Sequence, residues 1–187
     1  GHTESTEWVD FSSDGRWLAS AGHDQTVRLW ELTTGTSVSQ KKGARLQYSL
    51  QGHTMRTRCC AFSPDGRHLL VTPLEHGKVQ VWPTATGGGP VNPVNLGDTA
   101  RLRAAAFSPD GQRVVVAYDD GLARIWPADG HGAPILLKGH TWQVLSAAFS
   151  ADGRQVVTAS RDGTARLWSA ADGKLLAVLD GHAGPVL

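Results

Sequence analysis

The 187-residue sequence predicts an all-β fold. One phrase recurs four times: a Gly-His-like pair, Phe-Ser-x-Asp-Gly beginning ten residues after its glycine, and a Trp that closes an apolar run. The runs between these markers are short and rich in β-branched and aromatic residues, and no window keeps a helical period. A fixed period of this kind marks a repeat architecture, in which each copy is one supersecondary unit.

The four copies are Gly1-His2, Phe11-Ser-Ser-Asp-Gly15 and Trp30; Gly52-His53, Phe62-Ser-Pro-Asp-Gly66 and Trp82; Gly97-Asp98, Phe107-Ser-Pro-Asp-Gly111 and Trp126; and Gly139-His140, Phe149-Ser-Ala-Asp-Gly153 and Trp168. Gly to Trp is 29, 30, 29 and 29 residues, so length variation falls between each Trp and the next Gly. The boundaries follow at about 1–51, 52–96, 97–138 and 139–180, with 181–187 opening a fifth copy.

Each copy is read as short strands. The first precedes the Asp-Gly turn and carries small or apolar residues at Val9, Ala61, Ala105, Ala106, Ala147 and Ala148. The second follows that turn at Trp17–Ser20, Leu69–Val71, Val114–Val116 and Val156–Thr158. The third ends on the Trp, at Thr26–Trp30, Lys78–Trp82, Leu122–Trp126 and Thr164–Trp168. A fourth is expected at Ile135–Leu137, Leu175–Leu179 and Gln47–Leu50. Residues 35–47, with Lys41 and Lys42, and residues 83–97, with Gly87-Gly-Gly-Pro90, read as solvated loops.

These four in-register phrases resemble the WD-repeat family of β-propellers over essentially the whole chain. The resemblance implies four four-stranded blades. Because that family closes its rings with seven or eight blades, it implies a segment of a longer array, or half a ring completed by a second copy, more than a closed four-blade ring. The Ala-, Gly- and Arg-rich wording of the repeats resembles bacterial members.

Composition is that of a soluble domain: 40% hydrophobic, 19% charged and a net charge of +1, with no global attraction to nucleic acid or membrane. There is no apolar run long enough for a transmembrane span, and no signal peptide is visible. Cys59 and Cys60 are the two cysteines, adjacent on a strand and so facing opposite sides; they favour a reducing, cytoplasmic compartment. Of eight histidines, His2, His53, His140 and His182 are motif positions. His23, His68, His76 and His131 lack partners at ligand spacing, so no metal and no cofactor is expected.

His2, Ser20 and Asp24, or His140, Thr158 and Asp162, invite reading as a hydrolase triad. The resemblance implies instead a buried chain in which the Trp indole donates to the hydroxyl and the His bridges hydroxyl and carboxylate, so that no polar group is buried alone. By that reading the first and fourth copies hold complete tetrads: His2, Ser20, Asp24, Trp30 and His140, Thr158, Asp162, Trp168. In the second, His76 takes the Asp position and either Val71 or Thr72 the hydroxyl's. In the third, Asp98 replaces His and Val116 the hydroxyl. The middle blades are therefore expected to be less rigid.

In the family, partners bind one face of the ring through residues three and five beyond the motif His and the residue before the motif Asp. Here those are Ser5, Glu7, His23; Arg56, Arg58, Glu75; Arg101, Arg103, Asp119; and Gln143, Leu145, Arg161. Trp142 lies in the loop feeding this face. Arginine offers planar donors to carboxylate or phosphate, which points to an acidic or phosphorylated peptide, unless the arginines pair with Glu7, Glu75 and Asp119 instead. Arg28, Arg124 and Arg166 read as solvated outward residues of third strands. A non-catalytic scaffold or sensor, fused to an effector domain, is the reading these features support. The alternatives are a propeller enzyme of hydrolase or lactonase type, for which the inner positions are too apolar, and nucleic-acid binding, which lacks an aromatic platform.

Overall fold

The computed structural model describes residues 1–33, 43–50, 57–73, 77–84, 92–97, 100–181 and 184. Within them the chain forms sixteen strands in four antiparallel four-stranded sheets and no helix. Blade one is β1 (Thr6–Phe11), β2 (Trp17–Gly22), β3 (Val27–Thr33) and β4 (Gly43–Leu50). Blade two is β5 (Thr57–Phe62), β6 (His68–Pro73), β7 (Val79–Pro83) and β8 (Val94–Leu96). Blade three is β9 (Leu102–Phe107), β10 (Arg113–Tyr118), β11 (Ala123–Pro127) and β12 (Ile135–Leu137). Blade four is β13 (Val144–Phe149), β14 (Gln155–Ser160), β15 (Ala165–Ser169) and β16 (Leu175–Leu179). In every sheet the strands pair in sequence order.

The repeated phrase builds each first hairpin. Ser12 Oγ donates to Asp14 Oδ1 at 2.6 Å, and the Arg16 N–H donates to the same oxygen at 3.0 Å, so one carboxylate closes the turn. The glycine that follows sits in the left-handed region, with φ +67°, +69°, +70° and +68° at Gly15, Gly66, Gly111 and Gly153. An L side chain adopts that backbone conformation only at a cost of about 1–2 kcal/mol, which explains why the phrase ends in glycine each time.

The core lies in the seams between blades. Ala19, Val27, Leu29 and Leu50 of blade one meet Cys60, Leu69, Val71 and Trp82 of blade two. Leu70, Val79, Val81 and Leu96 then meet Leu102, Val114 and Val116 of blade three, and Val115, Ile125 and Leu137 meet Val144, Val156 and Trp168 of blade four. Both faces of the middle sheets are covered, so their second strands read as near-continuous apolar runs. Each Val, Leu or Ile among them contributes roughly 1.5–3 kcal/mol on burial.

Two expectations are corrected. The segment 83–97 contains a fourth strand, β8, whose Val94 and Leu96 face the seam although the residues before them are turn formers. Residues 43–47, read as part of a loop, extend β4 to eight residues, pairing Gly43 through Leu50 against Thr33 through Val27. Lys41, Lys42 and Gly87–Pro90 lie outside the described residues, as do 182, 183 and 185–187 of the fifth copy.

Candidate interaction face

Every blade turns from its second to its third strand at the same end, opposite the Ser-x-Asp-Gly turns, and the chain enters each blade from that end. There the His and Asp of blades one and four meet. In blade four, Trp168 Nε1–H donates to Thr158 Oγ1 at 2.8 Å, Thr158 Oγ1 lies 2.7 Å from His140 Nε2, and His140 Nδ1 lies 2.9 Å from Asp162 Oδ2. In blade one, Trp30 Nε1–H reaches Ser20 Oγ at 2.9 Å, Ser20 Oγ is 2.8 Å from His2 Nε2, and His2 Nδ1 is 2.9 Å from Asp24 Oδ1. One proton arrangement satisfies each chain: the hydroxyl accepts from the indole and donates to Nε2, and Nδ1–H donates to the carboxylate. The hydroxyls are therefore engaged on both sides, with Ser20 and Thr158 only 5% and 1% exposed, and neither is presented as a nucleophile.

A fifth member completes each network and was missed in the sequence. Thr26 Oγ1 donates to Asp24 Oδ1 at 2.7 Å, and Thr164 Oγ1 to Asp162 Oδ1 at 2.7 Å; the main-chain N–H of Thr3 and Thr141 also reach these carboxylates. The signal was present: Thr stands two residues after the Asp in the two complete blades, where blades two and three have Lys78 and Leu122. Burial is the largest influence on Asp162 and pushes its carboxyl up. Bonds from Thr164, the Thr141 N–H and His140 together outweigh it and hold the group well below the ordinary carboxylate range. For Asp24, burial is likewise outweighed, by bonds from His2, Thr26 and the Thr3 N–H. Burial pushes His140 below the ordinary imidazole value; Asp162 pulls it up, and Arg166 adds to the lowering.

Arg124 is buried, contrary to the expectation of a solvated face, while Arg28 and Arg166 are half-buried. Arg28 Nη2 lies 3.4 Å from Asp24 Oδ2 while Nη1 donates to the Gly1 carbonyl at 2.5 Å, and Arg166 Nε donates to Thr164 Oγ1 at 3.4 Å. Arg124 donates to Asp120 Oδ2 at 2.6 Å and lies over the Tyr118 ring at 4.5 Å. For Arg28 and Arg124 the cause is position: each is paired with the carboxylate four residues before it, Asp24 and Asp120, whose charge draws the guanidinium inward over the sheet.

The middle blades differ from blades one and four at the positions that are described. In blade two, register sets Val71 opposite Gln80, as Ser20 stands opposite Arg28, so Val71 occupies the hydroxyl's place; Thr72 Oγ1 instead donates to the Cys59 carbonyl at 3.4 Å. The Trp82 indole turns to Gln80 Oε1 at 3.2 Å. In blade three the Trp126 indole N–H is buried with no hydrogen-bond partner, and Tyr118 fills the interior, its hydroxyl packed directly against Gly97. His53, His76 and Asp98 lie outside the described residues.

The side chains expected to meet a partner are only partly free. Arg103 forms a two-pronged pair with Asp119, its Nη2 at 3.0 Å from Oδ2, and Arg101 Nε stands 3.9 Å from the same carboxylate. His23 Nε2 lies 2.7 Å from Glu7 Oε1. The basic patch is thus partly neutralised by its own blade. Arg58 and Arg101 are exposed. In blade four, Trp142 is 54% exposed, the Arg161 guanidinium stacks 5.0 Å from its ring centroid, and Arg161 Nη1 donates to Gln143 Oε1 at 3.2 Å. Leu145 is half-buried beside them. Arg56 and Glu75 lie outside the described residues.

Stacked four-stranded blades, a recurring buried His-Asp network and an Arg- and Trp-bearing loop end define a repeat-built propeller protein. The family model described as WD domain, G-beta repeat matches residues 1–31, 44–83, 93–127 and 134–169, and the chain belongs to that family. It is similar to a WD repeat-containing protein 26 homolog of Arabidopsis thaliana, 28% identical over 51% of this chain and 16% of the relative. It also matches eukaryotic translation initiation factor 3 subunit I of Phaeosphaeria nodorum, 40% identical over 37% of this chain and 18% of the relative. A third relative is cell division cycle 20.6, cofactor of APC complex, of Arabidopsis thaliana, 32% identical over 46% of this chain and 20% of the relative. The chain's matches thus span a fifth or less of these relatives' length. They come from a plant and a fungus, and nothing in them supports the bacterial source read from composition.

Proposed function

We propose that this chain is a non-catalytic interaction module that binds a protein through an acidic or phosphorylated segment, laid along the loop end from Arg58 through Arg101 and Arg103 to Trp142, Gln143, Leu145 and Arg161. The observation that carries the reading is the Trp142–Arg161 stack: an exposed indole with a guanidinium on its face is an apolar anchor beside a charged donor, the pairing enriched at binding hot spots. The relatives' names fit such a role, one being a cofactor of a complex and another a subunit of a translation factor.

Further blades, from the same chain or a second copy, extend the array in this reading, and an effector domain accompanies it. A reducing, cytoplasmic compartment is part of this reading, the two cysteines, Cys59 and Cys60, being adjacent on one strand with no disulfide framework to build; finding either thiol oxidised in protein taken from its source would count against that. The binding test is the affinity of a fluorescent phosphopeptide pool for the wild type and for Arg58→Glu with Arg101→Glu. Affinity should fall with salt, because exposed charges are screened over about 8–10 Å at moderate ionic strength. The double reversal should remove most of it, and unchanged affinity in that variant would refute the assignment.

A further inference from the structure

The three seams between blades follow one rule, and the two end faces of the array break it. In the seams β5 packs on β2, β9 on β6 and β13 on β10, so each blade gives one face to its successor and receives its predecessor on the other. On the giving face, Ala19, Leu70 and Val115 of the second strands are buried, as are Leu50, Leu96 and Leu137 of the fourth. Their equivalents in blade four, Val157 and Leu179, are 38% and 50% exposed. On the receiving face, Cys60 is buried and Phe62, Phe107 and Phe149 pack into the seam behind them. Their equivalents in blade one, Val9 and Phe11, are 56% and 59% exposed.

Blades one and four therefore do not close on each other, because a ring of four would bury both faces in a fourth seam. The bare faces are nevertheless the two halves of one. Val157, Leu167 and Leu179 stand where blades one to three present Ala19, Leu29 and Leu50, or Leu70, Val81 and Leu96, or Val115, Ile125 and Leu137. Val9, Phe11 and Leu18 stand where later blades receive them. Exposed apolar patches of this kind mark interaction sites, and the internal seams show the surface that fits: the complementary face of another blade of this sequence. One chain carries both halves at opposite ends, so two copies can cover all four bare faces with two identical seams. That gives a closed twofold assembly of eight blades, within the roughly four to eight of propellers.

We propose that two copies of this chain close into one ring, blade four of each seated on blade one of the other, with β1 packed on β14 as β13 is packed on β10. This selects the second copy as the source of further blades in the reading above. It rests on the seam faces and not on the loop-end arginines, so the oligomeric state and the phosphopeptide affinity fail separately.

The test is sedimentation equilibrium of the wild type and of two variants, Phe11→Asp in blade one and Leu179→Asp in blade four. The wild type should sediment as two chains. Each variant should sediment as one, because its carboxylate would be buried unpaired in an apolar seam. Both side chains are exposed in the single copy, so circular dichroism should be unchanged. Mixing the variants at high concentration should restore a two-chain species, since the intact blade four of Phe11→Asp meets the intact blade one of Leu179→Asp. Should either variant fail to fold, amide exchange of the wild type below and above its association midpoint decides, with protection gained at residues 6–11 and 175–179. A single-chain wild type, a species larger than two chains, dissociation by only one variant, a mixture that stays single, or protection gained elsewhere would overturn the proposal.

Discussion

Thr26 and Thr164 show how far single residues could be read. The four members of each buried network were legible because their spacing recurs, and the chemistry of burying an indole, an imidazole and a carboxylate demands partners. The fifth member was not, because threonine in a strand is equally explained by β propensity. The inward Arg28 and Arg124 were misread for a related reason: strand alternation gives a face, not the reach of a long side chain toward a carboxylate. The orphaned Trp126 indole yields a direct prediction. Val116 stands opposite Arg124 as Thr158 stands opposite Arg166, so Val116→Thr brings a hydroxyl to the place from which Thr158 serves Trp168 at 2.8 Å. The variant should gain about 1 kcal/mol in denaturant unfolding, because a buried donor acquires its partner. A loss would show that the added hydroxyl is itself stranded. The buried networks also set an acid limit. With His140 depressed by burial, the unfolded chain takes up its proton first, so stability is complete above about pH 6.5 and declines below it. Asp24 and Asp162, held low, add a second loss as pH falls below about 3.9. Unfolding midpoints at pH 8, 5.5 and 3 should therefore decrease in that order, and His140→Gln should flatten the first interval; a midpoint that rises on acidification contradicts the assignment.

At the scale of elements, the hairpins were the most legible part. Each Ser-x-Asp-Gly turn states its own geometry, with a left-handed glycine and a carboxylate that collects a hydroxyl and an N–H. The fourth strands were the least legible, since they lie at the sheet edge, satisfy only one neighbour and run from three residues in β8 and β12 to eight in β4. Val94–Leu96 has three residues and follows turn formers, yet Leu96 is wholly buried because the seam with blade three needs an apolar side chain there. Tertiary packing, not local propensity, made that strand. Blade three makes the same point. Its Tyr118 occupies the position held by Gly22 in blade one, where a Cβ would fall 2.6 Å from His2 Nδ1. Blade four, which keeps the His, has Ser160 there, and blade three, which has Asp98 in place of the His, fills the space with an aromatic ring.

Across the whole molecule, four blades share one plan while their two strand ends differ in chemistry. The loop end carries exposed Arg58 and Arg101 and the Trp142–Arg161 stack. The turn end carries the fixed carboxylates of the Ser-x-Asp-Gly turns. The repeat made the stacking of sheets readable in advance, but not the neutralisation of Arg103 by Asp119, which depends on how adjacent loops pack. The central claim is that an acidic partner lies along the loop end. Its most direct measurement is amide hydrogen exchange of the protein with and without the tightest-binding phosphopeptide of the pool. Added protection should concentrate at residues 100–103, 140–145 and 160–162. Protection confined to residues 12–17, 65–68 and 83–84, or absent at saturating peptide, would contradict it.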